Sequence, residues 1–162
     1  MHASLPPARG SAHLLARLTL VLLVAAGLLG ATSVAAEPAQ ALVSARTGAR
    51  AVHLAASRGG APYQWGAVGP HRFDCSGLTL WVYGRLGKRL PRTAAQQYAA
   101  TVHIPSWARR PGDLVFFKTG SGYVHHVGIY AGAGMIWHAP HTGAHVRRQR
   151  IWSRTVWYGR VR

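Results

Sequence analysis

The sequence predicts an α+β domain in which helices come first and an antiparallel sheet follows. Two patterns carry that reading. In three stretches between Thr47 and Ala100 the apolar residues recur at helical spacing, and beyond Pro105 they alternate every second residue in short β-branched and aromatic runs. Such segregation places the helices on one side of a curved sheet. A third observation marks one residue within this frame: the 162-residue chain has a single cysteine, Cys75, and ten histidines.

Residues 1–36 open with Arg9 and Arg17 and no acid, continue through an apolar run from Leu18, and end Val34-Ala35-Ala36. This is the order of a secretory signal peptide. The alternative is an uncleaved anchor, because the uncharged stretch Leu18–Ala36 is just long enough to span a bilayer. Small residues before Glu37 favour cleavage, and no cysteine follows the run to accept a lipid. The expectation is an exported chain without a lasting membrane anchor. Residues 37–47, alanine-rich with one proline, are expected to be a short tether or the lead-in to a helix. Residues 48–162 are expected to form one monomeric domain, with chain enough for a core without disulfides.

Ala51, Val52, Leu54, Ala55 and Ala56 suit a helix from Thr47 to Ser57, closed by Gly59-Gly60. The next stretch, from Ala61 to Pro70, is turn punctuation around Tyr63 and Trp65. Asp74 stands where a helix cap belongs, and Leu78, Leu80, Trp81, Val82 and Leu86 carry that helix to Gly87. A third helix is expected from Thr93 to Ala100. Strands are expected at Leu114–Lys118, Val124–Ala131, Met135–Ala139, Ala144–Ile151 and Val156–Val161.

Cys75 thus falls in the first turn of a helix. Unpaired N–H groups at a helix start favour a thiolate and predict a lowered thiol pKa. One cysteine cannot form an intrachain disulfide, which leaves a buried hydrophobe or a nucleophile. A nucleophile needs a base, and the base needs a group to hold its ring. His125 and His126 open a strand, where alternation sends them to opposite faces and groups His126 with Gly128 and Tyr130. Periodicity does not choose between them. His138, on the next strand, is in hairpin reach of His126 and suits the third member of a triad. His138, His141 and His145 with Cys75 also make a four-ligand zinc reading. Gly143 and the flanking strand signals place these residues on a hairpin rather than on one helix face, so neither metal nor cofactor is expected.

The net charge is +16 and falls to +14 without residues 1–36, with 17 of the 19 basic residues arginine. A polyanionic setting follows. Nucleic acid is one candidate. For an exported chain the anionic polymers of a cell wall come first, and nucleic acid is not the expected partner.

Six segments in order resemble the NlpC-type family of bacterial cell-wall cysteine peptidases. They are Pro62–Gly66, Phe73–Leu78, Leu90–Ala94, Pro111–Phe117, His126–Tyr130 and Met135–Pro140. The resemblance implies a papain-like fold with Cys75 as nucleophile, His126 as base, His138 as third polar residue and Tyr63 at the oxyanion. It implies hydrolysis of peptidoglycan stem peptides, commonly between D-glutamate and the diamino acid. Asp74 and Ser76 become candidate contacts for the stem peptide's amine, and Trp65 and Arg92 candidates for the cleft lining. Trp137 stands where the family usually has a smaller aliphatic residue. The competing readings are a silent wall-binding module of the same fold, and an amidase or acyltransferase acting on another amide.

Overall fold

The computed structural model describes residues 43–162, so the expected leader and most of the expected tether lie outside the described residues. Helix α1 (Ala45–Ala56) starts earlier than periodicity predicts, because Ser44 caps it by accepting the Thr47 N–H at 3.2 Å. The last three residues assigned to the tether are therefore helical. Helix α2 (Cys75–Arg85) begins at the cysteine behind its Asp74 cap, and α3 (Ala94–Ala100) begins with a capping box between Thr93 and Gln96.

The strands are β1 (Val102–Ile104), β2 (Leu114–Lys118), β3 (Val124–Gly132), β4 (Met135–His138), β5 (Arg147–Arg150) and β6 (Val156–Arg160). They form one antiparallel sheet in the order β1-β6-β2-β3-β4-β5. Strand β1 is absent from the sequence reading. Its three residues show too short an alternation to register, and pairing with β6 is what makes them a strand.

Alternation gives the sheet two apolar faces. Leu114, Phe116, Val127 and Ile129 pack with Phe73, Leu78, Val82 and Tyr83 in the main core under the helices. Val115, Phe117, Tyr130, Ile136 and Tyr158 form a smaller cluster on the opposite face. The ladder of strand β3 is irregular at two places, between Tyr130 and Gly132 against β4 and at His125 against β2. Phe117 stands opposite His126 but Lys118 stands opposite Val124, so His125 is an extra, bulged residue. Val124 and Val127 consequently share the helix-facing side, and His125 is turned out to solvent.

A buried ion pair fastens the last strand to the turn before β2. Arg160 donates to both carboxylate oxygens of Asp113 at 2.8 Å, while Asp113 also accepts the Arg110 N–H at 2.6 Å. The neighbouring Gly112 passes directly against Gly48 of α1, and a Cβ built on Gly48 lies 2.2 Å from the Pro111 carbonyl oxygen. Backbone meets backbone there, so no side chain can yield. Gly48→Ala is therefore expected to destabilise the domain by about 1–3 kcal/mol, read as a lower urea midpoint with an unchanged slope.

Candidate active site

Asp74 builds the start of α2. Its carboxylate accepts the Gly77 N–H at 2.7 Å, the Gly66 N–H at 2.9 Å and the Ser76 hydroxyl at 3.3 Å. Arg92 closes the set with an ion pair to the same carboxylate and a bond to Ser76 Oγ at 3.0 Å. Burial works to raise the Asp74 pKa, but the bonds from Arg92, Gly77 and Gly66 outweigh it and hold the group below its ordinary value. Of the four residues suggested as substrate contacts, Asp74, Ser76 and Arg92 thus form one internal network. Trp65 stands apart at 83% exposure.

Cys75 is the first residue of α2, where the backbone N–H groups of Ser76 and Val127 favour its thiolate. Desolvation raises the thiol above its ordinary pKa and the Asp74 carboxylate raises it further, against those two N–H groups. The helix start alone predicts the reverse. Burial and an adjacent anion win because the carboxylate that caps the helix sits next to the sulfur it would have to help ionise.

His126 leaves β3 on the face it shares with Phe117, opposite the helix-facing Val127 and Ile129. The bulge sends His125 outward, while His126 keeps the face that alternation gives it together with Tyr130. There the histidine and the thiol meet across a cavity of about 490 Å³, lined by Tyr63, Trp65, Cys75, His126, His138 and Trp152 among others. A second cavity of about 410 Å³ shares Trp65, Cys75 and His125 with the first and is floored by Asp74, Ser76 and Arg92. The sulfur therefore has a recess on each side. Every sequence-derived candidate lines one of the two.

His126 Nε2 lies 2.9 Å from His138 Nδ1, and His138 Nε2 lies 3.1 Å from Gln149 Oε1. Gly128 permits this approach of β3 and β4, since a Cβ there would lie 2.9 Å from Ile136 and 3.2 Å from His138 Cβ. Phe117 and Trp152 stack on each other at 4.1 Å and flank the imidazoles, with Trp152 5.2 Å from the His138 ring. Burial lowers His126 to about 3, helped by the charges of His138, His125 and His141. Burial also lowers His138 to about 4; the Gln149 bond works against it and Arg147 and His141 work with it. Both rings are neutral at neutral pH.

Gln149, Arg147 and Trp152 line the first cavity and were not singled out in the sequence, whereas His141, weighed there as a zinc ligand, lines it too. The first three sit in an arginine-rich run and its flanks, where nothing in the spacing separates a residue facing the cavity from one facing solvent. Tyr63 is set by loop pairing, its N–H donating to Ala144 O at 2.9 Å. Burial, then the nearness of Cys75 and Asp74, raises its phenol pKa and keeps it a donor. Among the described residues no group of three His, Cys, Asp or Glu side chains is arranged to hold a metal, and both ring nitrogens of His138 already have partners.

The depressed histidines make stability depend on pH. An unfolded chain protonates them near 6.5, whereas the folded one resists down to about 3 and 4. Between those limits the unfolded state binds more protons. Stability is thus unaffected above about pH 6.5, falls below it by about 1.4 kcal/mol per pH unit for each histidine, and levels off near pH 3. Urea unfolding followed from neutral pH down to about 4 checks this, with a shallower decline expected for His126→Asn. A second outcome concerns the thiol. Asp74→Asn retains a cap but removes the anion that raises Cys75, so iodoacetamide is expected to alkylate Cys75 a few-fold faster at about pH 8 than in the parent.

The sequence profile of the NlpC/P60 family matches residues 60–161, which contain every residue just described around the thiol. A probable endopeptidase of Corynebacterium glutamicum is 45% identical over 104 residues, 64% of this chain and 48% of that protein. The gamma-D-glutamyl-L-lysine dipeptidyl-peptidase of Bacillus subtilis is 41% identical over 86 residues, 52% of this chain and 29% of its own length. The chain therefore spans about half, or less, of these relatives. Among solved structures, the NlpC/p60 domain of the peptidoglycan hydrolase SagA superposes with a TM-score of 0.63 at 33% identity, over 71% of this chain and 97% of that one. An NlpC/P60 protein from Bacillus cereus gives 0.66 at 28% identity, over 76% and 41%. Three helices on a six-stranded antiparallel sheet are thus the α+β, papain-like arrangement of these neighbours. Fold, collinear segments and profile agree, and the chain belongs to the NlpC/P60 family.

Proposed function

We propose that this chain is a cysteine endopeptidase that hydrolyses peptidoglycan stem peptides, at the bond between D-glutamate and the diamino acid. The observation that carries the reading is the meeting of Cys75, at the first turn of α2, with the bonded His126–His138 pair in one cavity inside the family match. The Bacillus subtilis relative is named for a γ-D-glutamyl-L-lysine bond, which supports the choice of amide. In this reading residues 1–36 are a cleaved leader and the protein acts outside the cell as a monomer, on peptidoglycan among anionic wall polymers.

The resting pair is thiol and imidazole rather than thiolate and imidazolium, since burial raises one group and lowers the other. Attack and proton transfer are then coupled: as the sulfur bonds to the peptide carbonyl carbon, its proton passes to His126. His138 accepts from the far nitrogen of the ring and stabilises the imidazolium. The carbonyl oxygen gains negative charge, for which the Tyr63 hydroxyl and the unpartnered Cys75 N–H of the first helical turn are the donors. His126 gives its proton to the leaving amine, a thioester remains on Cys75, and water activated by the same histidine hydrolyses it.

Both cavities suit an extended peptide crossing the sulfur, with Trp65 between them. Arg147 in the first cavity and the absence of any exposed acidic side chain among the described residues favour a substrate bearing carboxylates.

The test is incubation of the chain with defined muropeptides and mass analysis of the products. Cleavage between D-glutamate and the diamino acid is expected, with Cys75→Ala slower by at least ~10³-fold. Cleavage that survives the substitution ends the cysteine-peptidase reading, and a product cut at another amide moves the chain to the amidase class.

A further inference from the structure

We propose that Gln149, oriented by Arg147, is a positioning residue that sets the tautomer of both histidines and leaves Nδ1 of His126 as the free basic nitrogen. The inference rests on reading His126 as base and His138 as its partner. Its first step is the orientation of an amide. Gln149 Oε1 receives the Arg147 Nε–H at 2.9 Å and stands 3.1 Å from His138 Nε2. A guanidinium nitrogen only donates, so the atom it meets is the amide oxygen and not the nitrogen.

The remaining hydrogens follow in sequence. An amide oxygen only accepts, so His138 Nε2 carries the hydrogen. A neutral ring has one such hydrogen, which leaves a lone pair on His138 Nδ1. That lone pair faces His126 Nε2 at 2.9 Å, so His126 Nε2 carries its hydrogen and Nδ1 is bare. One direction of donation thus runs from β3 through β4 to β5, and it ends on an oxygen pinned by a cation.

Neutrality of the rings is what makes the chain directional. Both are buried, no carboxylate is bonded to either, and the groups around them are Phe117, Trp152, His125, His141 and Arg147. A neutral amide at the end fixes the tautomer without adding the negative charge that would hold a proton on the pair. Its anchor, Arg147, is a positive charge that opposes protonation of His138. A terminal carboxylate would set the same tautomer but raise the affinity of the pair for a proton.

The experiment uses the full chain labelled with nitrogen-15. Long-range proton–nitrogen correlations of the histidine rings read the tautomers, and muropeptide hydrolysis reads kcat and KM. The parent is expected to show hydrogen on Nε2 of both rings. Gln149→Leu is expected to mix or reverse the tautomers and to lower kcat about 10–100-fold with little change in KM. Gln149→Glu is expected to restore hydrogen on Nε2 of both rings and to move the acidic limb of the rate profile to higher pH. If Gln149→Leu fails to fold, Arg147→Met supplies the comparison, since a freed amide lowers the Nε2–H population. Hydrogen on Nδ1 of either ring in the parent overturns the proposal. So does a Leu variant with both tautomers kept, whether or not kcat falls. A parent with the expected tautomers and no turnover overturns the peptidase reading and leaves the hydrogen-bond order standing.

Discussion

Asp74 draws the loop at Gly66, the first turn of α2 at Ser76 and Gly77, and the segment at Arg92 onto one carboxylate. A carboxylate this buried is costly unless its lone pairs are filled, and here the filling is what shapes the site. The cap starts α2 at Cys75, the Gly66 bond holds the loop that carries Tyr63 and Trp65 against it, and Arg92 closes the second recess. The same charge raises the neighbouring thiol. Positioning of the sulfur and its ionisation therefore pull in opposite directions, and the site resolves this by holding a neutral thiol beside a neutral imidazole.

Asp113 plays a parallel part in the scaffold. Its pairing with Arg160 joins β6 to the turn before β2, and Tyr83 of α2 donates to the Gly112 carbonyl next to it. The chain has three acidic residues, and the two among the described residues are both buried carboxylates spent on arginine pairs. The remaining arginines and lysines of the described residues face no acidic side chain. In the proposed role, their field is what a carboxylate- or phosphate-rich wall would meet.

The two halves of the site come from different kinds of structure. The thiol rests on a helix start, which local capping specifies. The histidines rest on adjacent strands whose side chains meet where Gly128 leaves room between them. Phe117 and Trp152 then shut the rings away from water, which accounts for their depressed proton affinity.

Helices before strands, the cap at Asp74 and the place of Cys75 in a first turn were legible in the sequence, because each depends on neighbours within a few positions. Collinear segments carried Tyr63, His126 and His138 as well. Tertiary structure alone decided the rest. Strand β1 exists by pairing with β6, α1 begins at Ala45 through the Ser44 cap, and the outward turn of His125 follows from a bulge that strict alternation does not foresee. Gln149 has no signature within its own strand, since its meaning comes from His138 across the ladder and from the arginine two residues before it. The sign of the Cys75 shift was likewise a matter of packing. A helix N-terminus is written in local sequence, whereas desolvation is a property of everything folded around it.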